Sequence, residues 1–178
     1  MSLSPRSAPH PRAAATAVLL RRIATLLTAT RTTVAVAESC TAGGAGWALT
    51  ARSGSSAYFR GGVITYANDV KQALLNVPGA MLRRCGAVSK PVAECMAREV
   101  RRRLASDYGV AITGIAGPSG GTPRKPVGTV WLAVASPRRV TARLLRLSGS
   151  RAQVRRHAVR GALELLLAEI YRTMSKTT

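Results

Sequence analysis

The sequence predicts an α/β fold, a single three-layer-type domain in which helices flank a mixed β-sheet. Segments with apolar residues at helical spacing alternate along the chain with short apolar runs, which is the pattern of α/β proteins. The 178 residues, 47% of them hydrophobic, are enough for one well-formed core. No linker or repeat interrupts the pattern, so we assign residues 13–175 to one domain. Residues 1–12, rich in proline and serine, are predicted to form a disordered tail.

The first half of the chain is predicted to contain three helices and two strands. Apolar residues recur at helical spacing in residues 13–30, which fits a packed helix better than an organellar transit peptide. The run "TTVAVA" at 32–37 is typical of a buried strand. The elements that follow are a glycine-rich turn at Ser39–Gly46 opening a helix to about Arg52, a strand at 61–67, and a helix at 68–75 capped by Asn68 or Asp69.

The second half is predicted to contain two helices and three strands. A helix begins after Ser89, its predicted N-cap, with Pro91 in the first turn, and its inner face holds Val92, Cys95, Met96, Val100 and Leu104. A buried strand at 108–115 then leads into a Gly/Pro-rich loop at 116–128. The final elements are a hairpin with strands at 129–136 and 140–148, and an amphipathic helix from about Arg151 to Met174.

The charge pattern is strongly basic but does not favour a nucleic-acid partner. Lys and Arg number 27 against 7 Asp and Glu, a formal charge of +20. The arginines are scattered over several helices and strand ends, without one stripe and without interleaved aromatics, so we interpret them mainly as a solvated surface. No apolar run reaches the roughly 20 residues that span a bilayer. With three dispersed cysteines and two distant histidines, we expect no metal site, no cofactor and a cytoplasmic location.

The stretch "AESCTAGG" contains the first candidate for chemistry. A strand that runs into a glycine-rich turn and then a helix can expose a nucleophile beside helix amides that hold an oxyanion. Ser39 is the candidate nucleophile, although the motif is not GxSxG and no His–Asp pair stands ready to activate it. Cys40 is a competing nucleophile, but more in keeping with a small buried residue. The structural alternative is that Ser39 or Thr41 only caps the helix.

The stretch "TYANDVK" offers a base for that serine. Tyr66 ends a predicted strand, and Lys71 lies in the first turn of the next helix. The helix dipole, the basic surroundings and burial would each lower the pKa of a lysine there. A partly neutral lysine can deprotonate a serine hydroxyl, with the tyrosine relaying or positioning the proton. The alternative is an ordinary exposed lysine on a helix.

The loop from Thr113 to Gly121 is a weaker signal. It lacks the GK[ST] ending of a P-loop, and no helix follows it to complete a dinucleotide fingerprint. Its backbone amides can still form a concave anion site.

Five blocks in order resemble the CinA C-terminal domain family, which includes the nicotinamide-nucleotide amidases. They are "AESCTAG", "GSSAYFRGGVITYANDVK", "GAVSKPV", "YGVAITGIAGPSGG" and "KPVGTVWLAVA". The resemblance covers about residues 15 to 172. It implies a metal-free hydrolase that converts nicotinamide mononucleotide and water to nicotinate mononucleotide and ammonia in pyridine-nucleotide salvage.

The family's catalytic serine, tyrosine and lysine fall on Ser39, Tyr66 and Lys71. In the mechanism this implies, amides from Cys40 through Gly44 hold the oxyanion and the Tyr66–Lys71 pair activates Ser39. Glu38 is assigned to the ribose hydroxyls or to fixing Lys71. The other predicted substrate-binding residues are Thr41, Gly43, Gly44, Gly54, Ser55, Ser56, Thr113, Gly114 and Gly117.

Three positions depart from the family pattern, and none removes a proposed catalytic group. Ala42 replaces a glycine, Lys90 stands where an acid is common, and Ser119 stands where an aspartate is common. If position 42 needs positive φ, its alanine costs about 1 kcal/mol. We expect the domain to stand alone, without the larger N-terminal domain of many relatives, and to form a homo-oligomer. The alternative function is a non-catalytic basic module that binds nucleic acid or a protein partner, linked to competence or a damage response.

Overall fold

A computed structural model describes residues 11–175, with side chains from Ala15 onward. Six helices and five strands follow in the order α1 Pro11–Ala29, β1 Val34–Glu38, α2 Gly44–Thr50, β2 Phe59–Ile64, α3 Asn68–Leu75, α4 Gly79–Cys85, α5 Lys90–Arg103, β3 Tyr108–Gly114, β4 Thr129–Ala135, β5 Val140–Arg146 and α6 Arg151–Met174. A short 3₁₀ turn, Ser55–Ala57, precedes β2. Of the predicted tail, residues 1–10 lie outside the described residues.

The five strands form one mixed sheet in the order β2-β1-β3-β4-β5. The strands β2, β1 and β3 are parallel, whereas β3, β4 and β5 pair antiparallel. The helix α2 makes the crossover from β1 to β2, and α3 to α5 make the crossover from β2 to β3. The predicted mixed sheet flanked by helices is therefore confirmed.

The two faces of the sheet carry side chains of different size. One face presents mainly valine, isoleucine and leucine, including Val36 and Ile112, to α1, α2 and α6. The other presents alanines, including Ala37 and Ala111, to α3, α4 and α5. The small side chains let α5 approach closely: a Cβ on Gly109 would collide with the carbonyl of Ala97. Helices on both faces make the three predicted layers.

Most predicted elements are present, with three corrections. The helix α4, Gly79–Cys85, was not predicted, because its seven residues offer too short a window for a helical period. The strand β2 begins at Phe59 and ends at Ile64, so Tyr66 lies beyond it rather than at its end. The predicted Asn68 or Asp69 cap is wrong, since α3 begins at Asn68 and its N-cap position is Ala67. Ser89 does occupy the N-cap position of α5, but its hydroxyl donates to the carbonyl of Gly86 instead.

The parallel part of the sheet determines where the candidate residues meet. The strands β1, β2 and β3 run in the same direction, so their carboxyl ends lie side by side at one edge. The chain leaves β1 at Glu38, β2 at Ile64 and β3 at Gly114. The segments that follow these strands are the three stretches singled out in the sequence, and we call this edge the site end of the sheet.

Candidate active site

Lys71 and Ser39 are in contact at the site end. Lys71 Nζ lies 3.2 Å from Ser39 Oγ, although 32 residues separate them in sequence. The same nitrogen donates to the backbone carbonyls of Thr65, at 2.7 Å, and of Tyr66, at 3.1 Å. The contact forms because Ser39 follows β1 directly, while α3 begins four residues after the adjacent strand β2 and turns Lys71 back over the strand ends.

Lys71 is buried, with 1% of its surface exposed, and it has no carboxylate partner in the described part of the chain. Burial lowers its pKa from the ordinary 10.5, and the neighbouring Cys40 thiol offsets part of that effect. An amine whose charged form is disfavoured in this way can act as a base towards the hydroxyl beside it. The alternative of an exposed lysine on a helix is wrong.

Cys40 is not activated for nucleophilic attack. Burial, helped by the charge of Glu38, raises the pKa of its thiol to about 11, and the backbone N–H of Cys40 and the charges of Arg155 and Arg151 only partly oppose that rise. At neutral pH the sulfur therefore stays protonated, whereas the thiolate is the reactive form. This environment fits the small buried residue that the sequence suggested, and it favours Ser39 over Cys40 as the nucleophile.

Glu38 holds the turn that carries Ser39. Its carboxylate is 1% exposed and accepts hydrogen bonds from the backbone N–H groups of Gly43, Ala45 and Gly46 at 2.9 to 3.1 Å. It thereby caps the first turn of α2. The predicted contact of Glu38 with Lys71 is wrong, because Lys71 donates to Ser39, Thr65 and Tyr66 instead. The predicted contact with ribose hydroxyls stays a prediction, although amides already bond to both oxygens of Glu38. Ser39 and Thr41 do not cap α2 either, since Gly43 is at the N-cap position.

The turn after Ser39 has fewer free amides than predicted. The N–H of Ala42 donates to the carbonyl of Ser39, that of Gly43 to Glu38, and that of Gly44 to the carbonyl of Thr41. The N–H groups of Cys40 and Thr41 have no partner on another residue in the described part of the chain, so they are the remaining candidates for an oxyanion site. Ala42, which stands where the family pattern has a glycine, has φ +49°. This is the left-handed conformation that costs energy for an alanine.

A cavity of about 300 Å³ opens at the site end. Ser39, Tyr66 and Lys71 all line it, together with the predicted Thr113, Gly114 and Gly117. Its wall is completed by Cys40, Ala87, Val88, Ile115, Ala116, Ser119, Gly120 and Arg151. The cavity has the size of a small-molecule site, and its wall contains no carboxylate among the residues described.

Six predicted substrate-binding residues lie outside the cavity wall. Gly54, Ser55 and Ser56 precede β2, so they lie at the opposite end of the sheet, about 17 to 20 Å away along that strand. Gly43 and Gly44 are not in the cavity wall, because they belong to the start of α2 and their amides are already bonded. Thr41 is 1% exposed and is likewise outside the wall. The wall of this cavity therefore does not support these six assignments.

The helix α6 supplies two arginines to the site that the sequence did not reveal. Arg151, its first residue, donates to the carbonyl of Gly117 at 2.8 Å and to the hydroxyl of Tyr66 at 3.1 Å. Arg155, one turn later, donates to the carbonyl of Thr41 at 2.9 Å. No local signal distinguishes these two from the other basic residues of the chain, so only the tertiary structure could identify them.

Among the described residues, no group of histidine, cysteine and acidic side chains is placed to hold a metal ion. No helix in residues 11–175 is long and apolar enough to cross a membrane.

The fold and site define a three-layer α/β domain with a buried serine–lysine pair in a cavity at the strand ends. The pattern of the CinA C-terminal domain matches residues 16–170. A CinA-like protein of Gloeobacter violaceus is 52% identical over 149 residues, which are 83% of this chain and 35% of that protein. A CinA-like protein of Thermosynechococcus vestitus is 54% identical over 151 residues, 83% of this chain and 36% of that protein. The chain belongs to the CinA C-terminal domain family.

Solved structures agree with this assignment. Competence/damage inducible protein CihA from Agrobacterium tumefaciens superposes with a TM-score of 0.85 at 40% identity, covering 94% of this chain and 98% of that one. A competence-damaged protein (CinA) superfamily protein from Klebsiella pneumoniae gives 0.85 at 32% identity, covering 88% and 98%. The chain spans about a third of the length of the curated relatives it matches.

Proposed function

We propose that this domain is an amidohydrolase that converts nicotinamide mononucleotide and water to nicotinate mononucleotide and ammonia. The observation that carries the proposal is the buried Lys71 amine, 3.2 Å from Ser39 Oγ in the wall of a cavity of about 300 Å³. A buried lysine without a counter-ion is costly to maintain, so its presence at an open cavity favours a catalytic role. The substrate itself is inferred from the family resemblance.

The contacts of Lys71 suit both of its protonation states. As an ammonium it has three N–H donors for three acceptors, which are Ser39 Oγ and the carbonyls of Thr65 and Tyr66. As a neutral amine it has two N–H donors for the two carbonyls, and its lone pair is left for the serine hydroxyl. The site therefore needs no rearrangement when the lysine accepts the serine proton.

The reaction proceeds as acyl transfer. Ser39 gives its proton directly to Lys71 while Oγ attacks the carboxamide carbon, so Tyr66 need not relay that proton. The N–H groups of Cys40 and Thr41 stabilise the oxyanion. The C–N bond then breaks as its electron pair moves to nitrogen, which takes up one proton in place of the one that Lys71 received, so ammonia departs and Lys71 is again a neutral amine. Water attacks the resulting ester, with Lys71 as base, and releases the nicotinate product.

Ammonia release from nicotinamide mononucleotide tests the proposal, with the wild type compared with Ser39→Ala and Lys71→Ala. We expect turnover in the wild type and none above background in either variant. Turnover that survives in Ser39→Ala would remove the serine as nucleophile. A folded wild type with no turnover would leave the binding module as the better interpretation, and retention of the chain by nucleic acid or protein would then be measured.

A further inference from the structure

The hydroxyl of Tyr66 has one hydrogen-bond partner, and that partner can only donate. Arg151 Nη2 lies 3.1 Å from Tyr66 Oη. A guanidinium carries five N–H donors and no acceptor, so the phenol oxygen is the acceptor in this pair. The single proton of the phenol therefore cannot point at Arg151. Tyr66 Oη makes no other hydrogen bond in the described part of the chain, so its proton is available to solvent or to a group bound in the cavity.

Arg151 is itself firmly held. Its other terminal nitrogen, Nη1, donates to the carbonyl of Gly117 at 2.8 Å. Arg151 begins α6, where the Ser150 side chain accepts from the N–H of Gln153 and the Gln153 side chain accepts from the N–H of Ser150. This reciprocal cap fixes the first helical turn. Tyr66 by contrast is 60% exposed, so packing alone does not orient its hydroxyl.

We infer that Arg151 is a positioning residue that orients the Tyr66 phenol as the acid of the proposed reaction, donating its proton to the leaving nitrogen. The inference rests on the proposed function and deepens it by separating the two proton transfers. Lys71 contacts Ser39 and takes the serine proton. Tyr66 lines the same cavity, and its phenol proton is not used in a hydrogen bond to Arg151. The phenol donates this proton to the leaving nitrogen, which then departs as ammonia.

The step balances in protons and electron pairs. The C–N electron pair moves to nitrogen as the bond breaks, and nitrogen takes the proton of Tyr66 Oη. The tyrosinate that forms carries a negative charge beside the Arg151 guanidinium, which stabilises it through a charge-assisted hydrogen bond. The ammonium of Lys71, formed when Ser39 lost its proton, returns one proton to the tyrosinate through the cavity. Both groups are then ready for attack of water on the ester.

The decisive experiment compares two leaving groups. The substrates are nicotinamide mononucleotide and the p-nitrophenyl ester of nicotinate mononucleotide, whose aryl oxide leaves without a proton. The variants are Tyr66→Phe, Arg151→Gln and the double variant. Arg156→Gln is the control, because Arg156 is an exposed arginine of the same helix without a hydrogen bond or ion pair in the described part of the chain. Circular dichroism and thermal unfolding establish that each variant is folded.

We expect Arg151→Gln to lower kcat on the amide about 100-fold and to leave kcat on the ester close to that of the wild type. The double variant should match Tyr66→Phe alone, because Arg151 acts through that side chain. Arg156→Gln should resemble the wild type on both substrates.

Three results would overturn the inference. Equal losses on the amide and the ester, or a raised KM on both, would make Arg151 a structural or substrate-binding residue. Additive losses in the double variant would show that Arg151 acts independently of Tyr66. Amide turnover in the wild type that Arg151→Gln leaves unchanged would remove this inference alone, whereas no amide turnover in the wild type would remove the proposed function and this inference together.

Discussion

The two ends of the sheet each bury a charged side chain, but they treat it in opposite ways. At the site end, Lys71 is 1% exposed, and in the described part of the chain its amine bonds to two carbonyls and a hydroxyl. At the far end, Glu169 of α6 is also 1% exposed, yet Arg139 binds both of its oxygens at 2.8 and 2.9 Å. The hydroxyls of Ser136 and Thr141 also donate to it, and Arg172 Nη1 lies 3.5 Å from one of its oxygens.

The difference separates a buried charge that joins parts of the fold from one that we propose to serve chemistry. For Glu169, burial raises the pKa, but hydrogen bonds from Arg139, Thr141 and Ser136 and the charge of Arg139 outweigh that effect and lower the pKa overall. Its carboxylate therefore stays ionised and joins α6 to the β4–β5 hairpin. For Lys71, burial lowers the pKa without a carboxylate to oppose it among the described residues. That amine can exchange a proton.

Lys71→Met should produce the largest change. We expect kcat for the amide to fall about 1000-fold or more, because the base is lost while the shape of the side chain is kept. The free energy of unfolding at pH 7 should change little, since removal of a buried charge that has no carboxylate partner among the described residues offsets the loss of its hydrogen bonds to two carbonyls. Amide turnover and urea unfolding measure the two effects. A strong loss of stability would instead identify Lys71 as a structural residue and remove the contrast between the two ends.

Glu169→Gln should have the reverse outcome. We expect the free energy of unfolding at pH 7 to fall by about 2 kcal/mol, less than for an enclosed pair, because water screens the partly exposed Arg139. Activity per folded molecule should not change. The stabilisation by Glu169 is present above its ordinary pKa of 4.5 and is lost as the pH falls through its lowered pKa in the folded chain. Urea unfolding between pH 7 and pH 3 should therefore show the wild type and the variant converge.

The pH dependence of activity sharpens the same comparison. In the proposed reaction the neutral amine of Lys71 is the base, so kcat/KM should rise about tenfold per pH unit below the lowered pKa of Lys71. The free energy of unfolding should also rise with pH between that lowered pKa and 10.5, because the unfolded chain still binds the proton there. A kcat/KM that does not fall as the pH is lowered, over the whole range in which the chain stays folded, would contradict Lys71 as the base.

The smallest effect concerns two strained alanines, one at each end. Ala42, in the turn after Ser39, has φ +49°, and Ala105, before β3 at the far end, has φ +45°. Replacing either with glycine should raise the free energy of unfolding by about 0.5 to 1 kcal/mol. Only Ala42→Gly should change kcat, because it alone adjoins the amides of Cys40 and Thr41. Equal kinetic effects of the two substitutions would show that the turn geometry does not matter for activity.

The predicted elements match the structure where a long segment of the sequence shows an apolar period of its own. The helices α1, α5 and α6 and the strands β3 to β5 follow apolar periods that their own residues display. The seven-residue α4 was missed because it is too short to display such a period. The catalytic candidates Ser39, Tyr66 and Lys71 were identified because each stands where a strand gives way to a turn or helix, and because the family resemblance joined them.

The roles of the polar residues needed the tertiary structure. Glu38 was assigned to the substrate because it adjoins Ser39 in sequence, but its oxygens face the amides of α2. Gly54 to Ser56 were assigned there too, although the length of β2 carries them to the other end of the sheet. The position of a residue in the sequence does not by itself place its side chain in the cavity. Successive side chains of a strand point to opposite faces of the sheet, and the two ends of a strand lie far apart.

The sequence by itself determined the α/β class, the order of most elements and the three catalytic candidates, since period, turn chemistry and family pattern are properties of neighbouring residues. Only the tertiary structure decided that Lys71 loses its solvent and its counter-ions, that Glu38 serves the turn, and that Arg151 of the last helix binds the Tyr66 hydroxyl 85 residues away. Burial and distant hydrogen bonds depend on how the parallel strands bring their ends together, which no local segment of the chain encodes.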